Sequence, residues 1–175
     1  MSTGMSADAV IAAFGHESGV FALMNTAWAW PIAESLHFIG LCLLLGTIGI
    51  VDLRLLGLAK EIPLLELHRI TRFGAVGFAL NLSTGVLFFV SDPSQYLYNP
   101  AFQLKVTCML LAAANVAVFY GIAWPRIRNA TAPRTPAIAR LCAAASLGAW
   151  IGVIVFGRLI TFYRPPEHWC FWCSA

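Results

Sequence analysis

The chain has 175 residues, 59% of them hydrophobic and only 11% charged, with a mean hydropathy of +0.77. Soluble domains carry about 25% charged residues and about 45–50% apolar ones, so a soluble core of this size has no room for so much apolar surface. The formal net charge of +3 is concentrated in two connections, which argues for topology signals and against nucleic acid as a partner.

A spanning helix uses about 20 residues, so four spans nearly exhaust the chain. The sequence predicts an all-α integral membrane four-helix bundle preceded by a short amphipathic interfacial segment. Residues 1–27 form that segment: small apolar residues alternate with His16, Glu17 and Asn25, and Gly15 and Gly19 mark a break. No basic stretch followed by an apolar run and a cleavage site opens the chain, so the first span is expected to direct insertion. Trp28 and Trp30 suit an interface and Pro31 suits a first helical turn.

The membrane domain covers residues 28–163, with spans predicted at about 31–58, 64–90, 101–124 and 137–163. Asp52 to Gly57 close the first span. Lys60, Glu61 and Pro63 make a turn. The polar loop from Ser91 to Pro100 separates the second and third spans, and the proline-rich stretch from Pro125 to Pro136 separates the third and fourth. Residues 164–175 form a tail with the pair Cys170 and Cys173.

Orientation follows from the basic residues. Arg54, Lys60, Arg69 and Arg72 flank the first connection, and Arg126, Arg128, Arg134 and Arg140 the third, whereas the second has none. By the positive-inside rule both termini face away from the cytoplasm.

Ionisable residues at membrane depth are costly and usually face the bundle interior. Glu34 and His37 on the first span, Lys105 on the third and Arg158 on the fourth fall within about one helical turn of a common depth. Glu34 and His37 share a helix face at i and i+3. Two readings stay open: an ion-pair network that fixes the register of the bundle, and a functional pocket in its outer half. A b-type haem takes one or two side-chain axial ligands, and bundle cores commonly supply them. In that reading His37 is the axial ligand, Met109 a second one, Lys105 and Arg158 anchor the propionates, and Glu34 orients His37 or carries protons. Asp52, Arg54, His68, Arg69 and Arg72 make a second polar layer at the other end, read as structural, with Asp52 able to pair with an arginine of the second span.

Cys42, Cys108 and Cys142 read as small buried apolar residues. Cys170 and Cys173 read as a local disulfide or, with His168, as a soft-metal site for copper or a similar ion. They are no c-type haem site, because Ser174 stands where a histidine is required.

The stretches ESLHFIGLCLLLGTIGIVDLRLLGL (Glu34 to Leu58), FQLK (Phe102 to Lys105) and WIGVIVFGRLI (Trp150 to Ile160) resemble an uncharacterised family of small bacterial four-helix inner-membrane proteins with a domain of unknown function. The resemblance covers roughly residues 28–163 and implies that Glu34, His37, Asp52, Arg54, Lys105 and Arg158 belong to its pattern. More loosely, the chain is similar to membrane protoporphyrinogen oxidases, which bind haem and oxidise a porphyrinogen, and to copper-resistance D membrane proteins, which are linked to copper uptake. It lacks the additional core histidines and the methionine-rich face of those proteins. The leading expectation is a haem or related redox group in the periplasmic half of a bacterial inner-membrane bundle with both termini periplasmic, serving electron transfer or a linked oxidation. The alternatives are copper or other metal handling at the periplasmic face and a non-catalytic accessory subunit of a larger membrane complex. The implied partners are the lipid bilayer, other membrane subunits and a periplasmic redox protein.

Overall fold

The computed structural model describes residues 7–58, 60–128 and 135–162. All regular structure among them is helical: α1 (Ala7–Glu17), α2 (Val20–Met24), α3 (Ala29–Leu56), α4 (Leu64–Ser91), α5 (Pro93–Leu97), α6 (Pro100–Val118), α7 (Trp124–Arg128) and α8 (Ala137–Leu159). A π-helical turn, Phe119–Ala123, joins α6 to α7 without a break. Four helical segments are long and apolar enough to cross a bilayer, Ala29–Leu56, Leu64–Ser91, Pro100–Arg128 and Ala137–Leu159, and together they make a multi-pass membrane protein. The end of the bundle that carries α1, α2 and α5 is called upper below, and the end that carries the α3–α4 connection and α7 is called lower.

The interior is built from small residues and the exterior from large ones. Ala33, Ala101, Ala112, Ala123, Ala139 and Ala143 are buried. Leu110 and Leu141 are each 66% exposed and Val76 is 59% exposed. A soluble protein does the opposite. In lipid the apolar exterior costs nothing, and association instead requires backbones to come close. The closest approach is between α3 and α4, where a Cβ on Gly77 would lie 2.6 Å from the Gly40 carbonyl oxygen and one on Gly40 would lie 2.8 Å from that of Gly77. No side chain fits there. Helices α6 and α8 form the second intimate pair, and α3 joins the two pairs through α8.

Helix ends follow local chemistry. Gly57 ends α3 at φ 106°, a left-handed conformation that glycine adopts without a Cβ penalty. The span therefore stops at Leu56, two residues short of the Leu58 read from sequence. Gly19, at φ 74°, separates α1 from α2, so the glycine break sits where the sequence puts it. These two short helices dock on the upper end of α4. Asn99 is fully buried; its Oδ1 accepts from the backbone N–H groups of Ala101 (2.9 Å) and Phe102 (3.4 Å), capping α6, while its Nδ2 donates to the Ile160 carbonyl of α8 (3.2 Å). Pro125 brings no N–H to the helix, and the turn before it widens so that the Trp124 N–H reaches the Phe119 carbonyl five residues back. The third span therefore continues to Arg128, beyond the Trp124 expected.

Two clusters hold the middle and the lower part. Leu44, Ala112, Trp150 and Val153 pack at mid-depth, with Ile48, Cys108 and Met109 around them. Leu55, Ala123, Ala139, Cys142 and Ala143 pack below.

Candidate functional site

At the upper level, α3 and α4 are tied by polar groups. The His37 Nδ1 lies 2.8 Å from Thr84 Oγ1, and Asn81 Nδ2 donates to the His37 carbonyl at 2.7 Å. Thr84 has a single hydroxyl proton, which it gives to the backbone carbonyl of Leu80 at 2.8 Å or of Asn81 at 3.1 Å, as serine and threonine commonly do in apolar helices. With that proton on the helix backbone, the hydroxyl oxygen accepts from His37, and in this tautomer the imidazole holds its proton on Nδ1 and its lone pair on Nε2. Phe88 stands edge-on to the ring at 5.8 Å, and Trp30 packs on Phe88 at 4.9 Å.

The groups expected to converge with His37 are placed as follows. Lys105 on α6 lies along Gly157 of α8, where a Cβ would meet its Cδ, Cε and Nζ at 3.7 Å, and its charge acts on His37. Gly85 of α4 is the neighbour of the imidazole, with a Cβ position 3.8 Å from His37 Cε1. Glu34 is exposed and stands near α5: burial first, then the negative charges of Asp92 and Glu34, push the Tyr96 phenol up to about 12. Arg158 is exposed, with its guanidinium 5.7 Å from the ring centre of Phe162. Met109 belongs to the mid-depth cluster around Leu44, and Leu44 lies seven residues, roughly 10 Å of helix, below His37. The structure thus ties His37 to Thr84 and leaves Lys105 in electrostatic range of the imidazole.

At the lower level Asp52 of α3 is 6% exposed and Ser146 of α8 is 7% exposed, and the serine hydroxyl is near enough to act on the carboxyl. The arginines of this end do not meet Asp52. Arg54, two residues on, points to the opposite side of α3 and donates from Nε to the Ile62 carbonyl at 2.8 Å, closing the α3–α4 turn. Arg69 pairs with Glu66 at 2.9 Å, the one ion pair among the described residues. Arg72 lies 5.1 Å from the ring centre of Phe73. His68 packs its ring on Trp124 at 4.1 Å and on Tyr120 at 5.7 Å. Asn115 of α6 donates to the Cys142 carbonyl of α8 at 2.9 Å.

Sequence reading passed over Thr84, Asn81 and Ser146 as site residues. Asn81 and Thr84 are spaced i, i+3 on one face of an otherwise apolar span, which is a usable signal. Ser146 gives none, because serine among alanines reads as a packing residue. His168, Cys170 and Cys173 lie outside the described residues, and among those described no three His, Cys, Asp or Glu side chains gather as metal ligands.

An all-helical, four-span membrane bundle with polar groups at two levels of its interior is the class these observations define. The chain belongs to a family of unknown function, DUF6644, whose model matches residues 14–163. No curated protein and no solved structure matches it.

Proposed function

We propose that the upper half of the bundle binds a haem or a closely related redox group, with His37 as its protein ligand, and serves electron transfer or a linked oxidation. The observation that carries this reading is the hydrogen bond from His37 Nδ1 to Thr84. Histidines that ligate metals usually donate their other ring N–H to a fixed acceptor, which sets the tautomer and aims the free nitrogen. Here that acceptor is a threonine whose own proton is committed to its backbone. Lys105 supplies a cation for an acidic substituent such as a propionate. Gly85 and Gly157 are the helix neighbours of the imidazole and of the Lys105 chain. A haem, when bound, supplies one-electron chemistry, and the protein's part is to hold and orient it and to limit water access.

The reading places the upper end at the periplasmic face of a bacterial inner membrane. Its support is the charge pattern: Arg54, Lys60, Arg69, Arg72, Arg126, Arg128 and Arg140 all lie at the lower end, and the upper connection from Ser91 to Pro100 has no lysine or arginine. The test is an absorption spectrum of protein purified from haem-replete cells. A Soret band that disappears in His37→Ala is the expected result; a colourless wild-type protein overturns the proposal.

A further inference from the structure

Asp52 is the least expected group in the molecule. It sits in a membrane span, is buried between α3 and α8, and one of its oxygens, Oδ2, has no hydrogen-bond partner among the described residues. Among the described residues its polar neighbour is the hydroxyl of Ser146. Among the described residues, the elements around it offer no counter-charge. On α8 the nearest titratable group is the Cys142 thiol, whose interaction with Asp52 is that of two potential anions. Helix α6 and its π-helical turn contribute Phe119 and Ala123 to the cluster just below, and α4 contributes Leu64. His68 of α4 is engaged with Trp124 and Tyr120, and on α3 itself Arg54 faces the other way. Arg69, Arg72, Arg126, Arg128 and Arg140 are exposed.

A carboxylate buried without a counter-ion costs several kcal/mol, and proteins avoid that cost by neutralising the group. We infer that Asp52, opposite Ser146, is a proton-binding site of the bundle, carrying an exchangeable proton on Oδ2. In the exchange the carboxylic acid gives its proton to a water molecule, leaving the carboxylate and a hydronium ion, and the reverse step restores it. The route is short: Asp52 lies four residues, roughly 6 Å, above the end of α3 at Leu56. The hydroxyl of Ser146 stabilises the ionised form, so the pair can cycle rather than stay permanently protonated. This site is about 22 Å along α3 from His37, fifteen residues away, and does not depend on the haem reading.

Dicyclohexylcarbodiimide tests the inference on the intact wild-type protein in lipid, because it reacts with protonated carboxyls in apolar surroundings. The expected result is a label mapped by peptide mass to Asp52, absent in Asp52→Asn, and falling at least tenfold as pH is raised through the alkaline range. In Ser146→Ala the fall should come at higher pH, since the carboxylate has lost its donor. Absence of label on Asp52 at every pH overturns the inference. So does suppression of the label by sodium ions at constant pH, which would make Asp52 a cation site, and so does an unchanged pH profile in Ser146→Ala.

Discussion

At the upper level His37 is bound across α3 and α4 by Thr84, with Lys105 in electrostatic range; at the lower level Asp52 meets only Ser146 across α3 and α8. His37 and Lys105 are half-buried, whereas Asp52 is buried at 6% exposed. Among the described residues neither His37 nor Asp52 takes part in an ion pair. In a bilayer an interior ion pair would serve only to hold helices together, and here glycine contacts, the Asn99 tie and the two apolar clusters already do that. Ionisable groups that are not needed for cohesion are left free for ligands and protons. The upper level offers a lone pair and a cation, and the lower level offers an acid.

Substitutions separate the two levels by the size of their effects. His37→Ala removes the ligand nitrogen and should abolish the haem spectrum altogether while leaving helical circular dichroism intact. Thr84→Val keeps the volume but frees the imidazole to change tautomer; loss of such an orienting partner typically weakens metal affinity by about 10–100-fold, which a haem titration would show. Asn99→Ala removes three hydrogen bonds of a buried cap and should cost about 2 kcal/mol in detergent unfolding.

Smaller effects are expected from Tyr96 and Asp52. The Tyr96 phenol titrates near 12 in the folded chain instead of its ordinary 10.0. Between those values the unfolded chain ionises first, so stability present below pH 10 is lost as pH rises toward 12. Melting curves of Tyr96→Phe should show a shallower alkaline decline than wild type. Asp52→Asn should change unfolding free energy least, by about 0.5 kcal/mol or less, since breaking a true buried ion pair would cost about 3–5 kcal/mol. A large loss in this variant would mean that Asp52 is held by a charge partner.

The architecture was legible because lipid imposes long apolar runs, and proline, glycine and arginine punctuate them. Depth counting singles out His37 and Lys105, since both are ionisable groups at matching levels of antiparallel helices. It could not find direction around each helix. Glu34 turns toward Tyr96 and Arg158 toward Phe162, and neither rotation is encoded in residue spacing. The expected partnership of Asp52 with an arginine of the second span is replaced by Ser146 because α3 reaches α8 at that level. Which helix neighbours which is set by small-residue contacts such as Gly40 on Gly77, a feature that hydropathy does not register.

The most direct test is a titration of detergent-purified protein with ferric haem, followed by difference absorption, for wild type, His37→Ala and Lys105→Met. Saturation at one equivalent in wild type, no saturable spectrum in His37→Ala and weakened binding in Lys105→Met is the result predicted here. Identical titrations for wild type and His37→Ala would contradict it.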